Sequence, residues 1–295
     1  MTTQSDEEPK TAPRKSGGVL SGLRRRPAAL IALVFVVALA LMAIFAPWIA
    51  PYDPYAQDLL DRLSPPSAEH WLGTDDYGRD ALSRLIFGAR ISLTAALQAV
   101  GLALVLGLPL GVIAGYVGGW INTVLTRIMD ALMSAPALVL AITIVAVLGS
   151  GITNAMIAVG LVMTPRFFRV ARASTMDVRH ETYIESAVAL GCRPIRVIVR
   201  HVLPNVMPPV VLVISVSLGS AVAAEASLSF LGLGAKAPAA SWGSMLSTAA
   251  SNMQLAPYLV WPPGVMIFLA VLAFTYLGDG VRRAMVRSRS GSEDA

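Results

Sequence analysis

The chain has 295 residues, of which 55% are hydrophobic and 14% are charged, and its mean hydropathy is +0.66. Soluble domains carry about 25% charged residues, so this composition excludes an ordinary soluble protein and indicates a membrane lipid environment. The single cysteine, Cys192, excludes an intramolecular disulfide and a cysteine-cluster metal site. The net charge of +5 is distributed between hydrophobic runs rather than over one soluble face, so we expect no nucleic-acid partner.

The N-terminal region predicts a tail followed by a membrane helix. Residues 1–23 are polar and aperiodic, which is typical of a disordered cytoplasmic tail. An apolar run from Pro27 to Ala50 follows three arginines and predicts a first transmembrane helix within residues 24–51. A signal peptide also begins with basic residues, but its apolar core has only about 7–15 residues. A retained helix is therefore favoured.

Five further apolar runs predict an all-α, polytopic membrane protein with six transmembrane helices, because about 20 apolar residues cross a bilayer as helix. These runs lie near residues 90–116, 121–149, 152–173, 205–233 and 258–280. The fourth run is the least regular, since its clean apolar stretch ends at Pro165 and arginines follow; we expect these arginines to reach the interface. An extracytoplasmic segment is predicted at 52–89, a core membrane domain at 90–284 and a cytoplasmic tail at 285–295.

The distribution of charge orients these helices. All but five of the 23 basic residues lie in segments on one side of the six predicted spans. The exceptions are Arg62, Arg79, Arg84, Arg90 and Lys236. Because cytoplasmic loops carry the excess of Lys and Arg, we predict a multi-pass protein of the cell membrane with both termini and the 174–204 loop in the cytoplasm.

Two patterns within the runs predict specific packing. Gly107, Gly111 and Gly115 recur every four residues, and small residues at this spacing allow membrane helices to pack closely. Arg127 and Asp130 are three residues apart, so they can form an ion pair on one helix face.

The polar 174–204 loop carries folding signals of its own. Residues 182–190 are good helix formers with an apolar stripe. Gly191 follows where a helix end favours a left-handed residue, and Pro194 suits the first turn of a new helix. The pattern predicts a short helix, a tight turn and a second short helix beneath the membrane bundle, ending at Leu203 and Pro204.

The loop contains Glu185-Ser186-Ala187, with Gly191 six residues after Glu185, and ends with His201-Val-Leu203-Pro204-Asn205. In these residues it resembles the EAA loop of ABC importer permeases. Other segments resemble the C-type permease subunits of the dipeptide, oligopeptide and nickel branch. They are 71–80, 83–93, 225–234, 241–246 and 277–280. Ser186 and Cys192 depart from this pattern, because alanine is usual at both positions.

The resemblance implies a type I ABC importer transmembrane domain that conducts a solute, with di- or oligopeptides expected. It implies three kinds of partner: a second, homologous permease subunit, two ATP-binding subunits, and an extracytoplasmic substrate-binding protein that contacts residues 52–90. It also implies an ATPase-coupling loop, with Glu185, Ala187 and Gly191 as the transmission residues. The coupling residues are Glu185, Ser186, Ala187, Gly191, Pro194, His201, Leu203 and Pro204.

The chain carries no phosphate-binding loop of the Gly-x-x-x-x-Gly-Lys-Ser/Thr type, so we expect neither a bound cofactor nor an ATPase activity of its own. Energy would come from a separate ATPase or from an ion gradient. Glu225, the one acidic residue deep in an apolar run, either lines the outer mouth of a translocation path or stabilises a helix contact.

Two other classes of protein fit the sequence less well. In an ion-coupled secondary transporter Glu225 would carry the proton, but the inverted repeats typical of that class are not evident. An intramembrane enzyme built on Ser150 would lack a histidine or lysine in the membrane to activate the hydroxyl.

Overall fold

The computed structural model describes the secondary structure of residues 27–293 and the side chains of residues 27–282. Every regular element in this range is helical. Eleven α-helices follow in order: α1 (Pro27–Ile44), α2 (Ala46–Ile49), α3 (Ala81–Val117), α4 (Gly119–Ser134), α5 (Ala137–Leu148), α6 (Ile152–Arg179), α7 (Thr182–Ala189), α8 (Pro194–Val197), α9 (Leu203–Phe230), α10 (Trp242–Ser251) and α11 (Trp261–Glu293). The predicted tail at 1–23 and the side chains of the predicted tail at 285–295 lie outside the described residues.

The spanning helices agree approximately with the six that were predicted. Within the described range, four helical segments are long and apolar enough to cross a membrane, and α4 with α5 would make a fifth if the pair is one span. The four are Pro27–Ile44, Ala81–Val117, Pro194–Phe230 and Pro257–Arg282. Helix α6 occupies the place of the fourth predicted span, but its second half carries Arg166, Arg169, Arg172 and Arg179 and is too polar for the same criterion.

The predicted helix at 121–149 is wrong as a single element. The structure divides it into α4 and α5, whose axes differ by 94°. The break lies at Ala135 and Pro136, neither of which has a helical backbone conformation. Proline lacks the amide that would continue the helix, and its ring disfavours the helical conformation of the preceding residue.

The predicted start of the second spanning helix, near residue 90, is also too late. Helix α3 begins at Ala81, because the Asp80 carboxylate accepts a 2.7 Å hydrogen bond from the backbone amide of Ser83 and so caps the first turn. The irregular stretch between α2 and α3 is therefore residues 50–80, called the 50–80 segment below.

The three regularly spaced glycines bring α3 against α6, as predicted. A Cβ added at Gly107 would lie 2.7 Å from the carbonyl oxygen of Thr164, and one at Gly111 would lie 2.5 Å from the carbonyl oxygen of Phe168. At Gly115 the corresponding neighbour is the carbonyl oxygen of Arg172, at 2.7 Å. The helix backbones thus approach more closely than any larger side chain would permit.

The predicted ion pair between Arg127 and Asp130 is wrong. Asp130 of α4 instead forms a 2.8 Å ion pair with Arg169 of α6. Arg172, one turn further along α6, donates a 2.5 Å hydrogen bond to the side-chain oxygen of Asn122. These contacts hold α4 along the basic half of α6, so part of the arginine content of α6 has a structural role.

Candidate functional site

The predicted hairpin between α6 and α9 is present, and Gly191 shapes its turn. Gly191 has a φ of +78°, in the left-handed region that favours glycine. The amide of Cys192 donates to the carbonyl of Ala187 at 3.1 Å, and that of Gly191 donates to Val188 at 2.9 Å. This pair of bonds is the Schellman arrangement, which ends a helix at a fixed residue. Pro194 then opens α8, as expected from its lack of an amide hydrogen.

One face of the hairpin is fixed to the rest of the chain. Ile184, Val197 and Val202 are fully buried in the main hydrophobic core. The side-chain amide of Asn205, at the start of α9, donates a 3.1 Å hydrogen bond to the hydroxyl of Tyr183 on α7. The backbone between α8 and α9 forms a π-helical turn over Ile198–Val202. The two short helices are therefore held against the bundle at both ends.

The other face of the hairpin exposes large apolar side chains, which we call the coupling face: Leu190, Ile195 and Val199. Leu190 is 85% exposed and Ile195 is 66% exposed, and Val199 is also exposed. Leu190 lies on the predicted apolar stripe of the first helix, yet it points away from the bundle. A cluster of exposed apolar residues on a rigid support is typical of a surface that another protein covers.

The predicted coupling residues lie on both sides of the turn: six are in the hairpin, and Leu203 and Pro204 are in the first turn of α9. Five of them are exposed: Glu185, Ser186, Gly191, Pro194 and Pro204. Ala187, His201 and Leu203 are partly buried. The Ser186 hydroxyl donates a 2.8 Å hydrogen bond to the carbonyl of Thr182. Its hydrogen is therefore used within its own helix and is not donated to the bundle. Glu185 forms no ion pair with any residue that the structure describes.

Glu225 lies in the interior of the chain, at the junction of three helices. It is 1% exposed. One carboxylate oxygen accepts a 2.9 Å hydrogen bond from the Ser92 hydroxyl of α3, and the other accepts a 2.7 Å bond from Ser229. Ser92 also accepts a 3.1 Å bond from the amide of Trp242, at the start of α10. Of the two roles left open by the sequence, this placement favours the stabilisation of a helix contact.

The 50–80 segment is held together by a second polar cluster that sequence reasoning missed. The Asp75 carboxylate lies 2.7 Å from Nε of Arg79 and 3.1 Å from Nε of Arg84, and all three side chains are buried. Arg84 also donates to the carbonyls of Pro54, at 3.0 Å, and Pro238, at 3.4 Å. The segment and the loop after α9 therefore share one face of the bundle, called the 50–80 face below.

Asp76 lies beside this cluster but takes less part in it. Its nearest cationic partner is Arg79, at 3.6 Å. Burial, and secondarily the neighbouring Asp75 carboxylate, raises the pKa of Asp76 above its usual value. Asp75 thus forms the ion pairs with both arginines, whereas burial disfavours the charged form of Asp76.

Comparison with known proteins identifies this arrangement. Residues 107–291 match the family described as "Binding-protein-dependent transport system inner membrane component". The chain belongs to this family of ABC importer permeases. Residues 18–66 match a second description, the N-terminal transmembrane domain of oligopeptide transport permease C. The resemblance noted in the hairpin is therefore confirmed at the level of the family, because the hairpin lies within the first matched range.

This permease is similar to curated proteins along most of its length. It is 44% identical over 263 residues to the glutathione transport system permease protein GsiD of Shigella flexneri serotype 5b, covering 89% of the chain and 87% of the relative. The identity and the coverage are the same for GsiD of Escherichia coli O1:K1. The chain is thus the multi-pass inner-membrane permease subunit of an ABC importer, a class of subunit that is not itself the ATPase.

A solved structure supports the fold. The permease superposes on a chain of the inward-facing MetNI methionine ABC transporter with a TM-score of 0.55 and 19% sequence identity. The match covers 68% of this permease and 95% of the MetNI chain. The type I ABC importer fold predicted from the sequence is therefore confirmed.

Proposed function

We propose that this permease subunit conducts small peptides, tripeptides such as glutathione included, and that the 183–204 hairpin couples it to ATP-binding subunits. The observation that carries the proposal is the coupling face. Leu190, Ile195 and Val199 are exposed on a hairpin whose opposite side is anchored by fully buried residues. A rigid hairpin can transmit a displacement to the helices on either side of it, whereas a mobile loop would absorb the displacement.

The hairpin joins α6 directly to α9, and both helices take part in the core. Helix α6 packs along α3 through the glycine contacts, and α9 contacts α3 through the hydrogen bond between Glu225 and Ser92. Closure of two ATP-binding subunits would move the hairpin and tilt α6 and α9 together. A second, homologous permease would form the other wall of the solute path, and an extracytoplasmic binding protein would deliver the solute at the 50–80 face.

The charge distribution of this permease supports the proposed orientation in the membrane. The hairpin and its flanks carry seven arginines between residues 166 and 200, whereas the 50–80 segment is net acidic. By the positive-inside rule the hairpin and both termini lie in the cytoplasm. A membrane-impermeant maleimide should therefore label Cys192, the only cysteine, in inside-out vesicles and not in intact cells. Labelling of Cys192 in intact cells would reverse the orientation.

The experiment that tests the function is reconstitution of the permease with the subunits that co-purify with it. Liposomes containing the assembled complex, its binding protein and labelled glutathione or dipeptides should accumulate solute only when ATP is hydrolysed. Uptake that is abolished by a protonophore and indifferent to ATP depletion would instead favour the ion-coupled alternative. The burial of Glu225 among hydroxyl donors argues against that alternative, since a proton carrier must exchange with water.

A further inference from the structure

A cavity of about 450 Å³ opens beside the 50–80 face of this permease. Three segments line it: residues 91–98 in the first half of α3, the start of α6 and the loop that follows α9. The lining residues include Thr94, Gln98, Gly151, Thr153, Lys236 and Ala239. Sites for small molecules typically have volumes of about 300–1,000 Å³, so the cavity is large enough for part or all of a small peptide.

The wall that carries Lys236 is fixed by the buried Glu225 site. The Ser229 hydroxyl, which donates to Glu225 at 2.7 Å, accepts a 3.4 Å hydrogen bond from the amide of Ala235. A Cβ at Gly234 would lie only 1.8 Å from the same hydroxyl oxygen, so the loop can approach α9 this closely only with glycine there. The backbone amide of Gly151, just before α6, donates a 3.1 Å hydrogen bond to the carbonyl of Leu233 in the same loop, so two of the lining segments are joined. These bonds give the cavity a defined shape.

The lining has one charged group, the ammonium of Lys236, and three neutral polar side chains, those of Thr94, Gln98 and Thr153. Among the described residues, no carboxylate lies within salt-bridge distance of Lys236. Arg90 is also exposed, one helical turn before Thr94 on the same face of α3, and the Thr94 hydroxyl donates to its carbonyl at 2.7 Å. The Glu225 carboxylate lies behind the wall with both oxygens hydrogen-bonded.

We propose that this cavity is an entry site for a solute that carries a carboxylate, with the Lys236 ammonium as the partner of that carboxylate. Thr94, Gln98 and Thr153 then offer hydrogen bonds to the uncharged remainder of the solute. Cavities lined by one sign of charge concentrate the opposite ion and raise its rate of entry. This inference rests on the proposed function, because it assigns the cavity to the transport path, and it narrows the solute class to molecules that carry a carboxylate.

The test measures the electrostatics and access of the cavity without requiring transport. In a Cys192→Ser background, Thr153→Cys places a reporter thiol in the lining of the assembled complex. Its rates of reaction with a sulfonate-bearing and a trimethylammonium-bearing methanethiosulfonate are compared from the side of the 50–80 segment. We expect preference for the anionic reagent, which Lys236→Gln should reduce about five- to tenfold and Lys236→Arg should retain.

Two results would overturn the proposal: a reporter that no reagent reaches from that side, or a preference that Lys236→Gln leaves unchanged. If Thr153→Cys prevents assembly, Ala239→Cys provides a second reporter on the other wall. The uptake of labelled glutathione supplies an independent readout, with a higher KM for Lys236→Gln than for Lys236→Arg. Uptake that does not depend on ATP would refute the proposed function, while the reagent preference would still decide the role of Lys236.

Discussion

The hydroxyl of Ser92 donates a 2.9 Å hydrogen bond to the carboxylate of Glu225, although the two residues are 133 positions apart in the chain. The same hydroxyl accepts a hydrogen bond from the backbone amide of Trp242, so one serine joins α3, α9 and the start of α10. The Trp242 indole adds a 3.0 Å bond to the carbonyl of Leu85. Burying a carboxylate within the membrane costs free energy. Here the carboxylate accepts the hydrogen bonds that hold a helix junction together.

Replacement of Glu225 should therefore cost stability before it affects solute choice. In Glu225→Gln, one of the two serine hydroxyls loses its acceptor, which costs about 1–3 kcal/mol. Glu225→Ala removes both acceptors and leaves a cavity, so it should cost more. Thermal unfolding of the detergent-solubilised complex measures both effects. An unchanged Tm in Glu225→Ala would contradict the structural role, and loss of a proton-driven uptake in Glu225→Gln would support the ion-coupled alternative.

Loss of charge should lower the stability of the complex at Asp75 but not at Asp76. Asp75→Asn leaves the buried Arg79 and Arg84 without their shared partner and should destabilise the complex by about 3 kcal/mol or more. Asp76→Asn should maintain or raise the Tm at neutral pH, because the raised pKa of Asp76 means that its ionised form is disfavoured in the folded state.

The pH dependence of the Tm provides the control for these two variants. Because the folded-state pKa of Asp76 lies above the unfolded value, the cost of its charge is present at neutral pH and is relieved as the pH falls through the folded-state pKa. The difference in Tm between Asp76→Asn and the wild type should shrink over that range. A loss of stability in Asp76→Asn as large as in Asp75→Asn would show that both carboxylates are needed.

Gly111 and Gly101 form a matched pair on α3. A Cβ at Gly111 would lie 2.5 Å from the carbonyl oxygen of Phe168, whereas a Cβ at Gly101 would meet nothing within 4 Å. Gly111→Ala should separate α3 from α6 and destabilise the permease by about 1–3 kcal/mol. Gly101→Ala should be nearly neutral. The measurements are the amount of folded permease in membranes and the Tm, and equal values for the two variants would contradict the close packing.

Gly191→Asp should separate folding from coupling. The variant should insert and assemble, because Gly191 is exposed, a Cβ there would meet nothing within 4 Å, and aspartate tolerates a left-handed backbone at a cost of about 1 kcal/mol. The new charge would lie beside the coupling face, where burial against a partner is unfavourable. Solute uptake per ATP hydrolysed should therefore fall about tenfold or more. Gly191→Asn, of equal size without the charge, should retain more uptake, and normal uptake by Gly191→Asp would count against the coupling role.

The sequence predicted those features whose signals are local or periodic. Gly191 and Pro194 mark the turn by their backbone preferences, and the four-residue spacing of Gly107, Gly111 and Gly115 indicates a packing face. Pro136 and Asp80 are also local signals, for a helix break and a helix cap, but each lies within or beside an apolar run that predicts the helix bounds differently. Hydropathy averages over a window and does not register a single residue that ends a helix.

The remaining features depend on contacts that no spacing reveals. Ser229 is four residues from Glu225 on one helix, so that bond could have been anticipated. The bonds from Ser92 and Trp242 could not, because they join residues more than a hundred positions apart. The same holds for Asp130, whose partner is Arg169 rather than the nearby Arg127. The outward orientation of Leu190 follows from which residues the bundle covers, and its own helix pattern does not determine it.

The most direct test of the account is photo-crosslinking from the coupling face. Leu190→Cys in a Cys192→Ser background, modified with benzophenone maleimide, should form an adduct with the ATP-binding subunit when the complex is illuminated. Leu60→Cys is the matched control, because Leu60 is 96% exposed but lies in the 50–80 segment. We predict an adduct with the ATP-binding subunit from Leu190→Cys and none from Leu60→Cys. No adduct from Leu190→Cys, or the same adduct from both positions, would contradict the account.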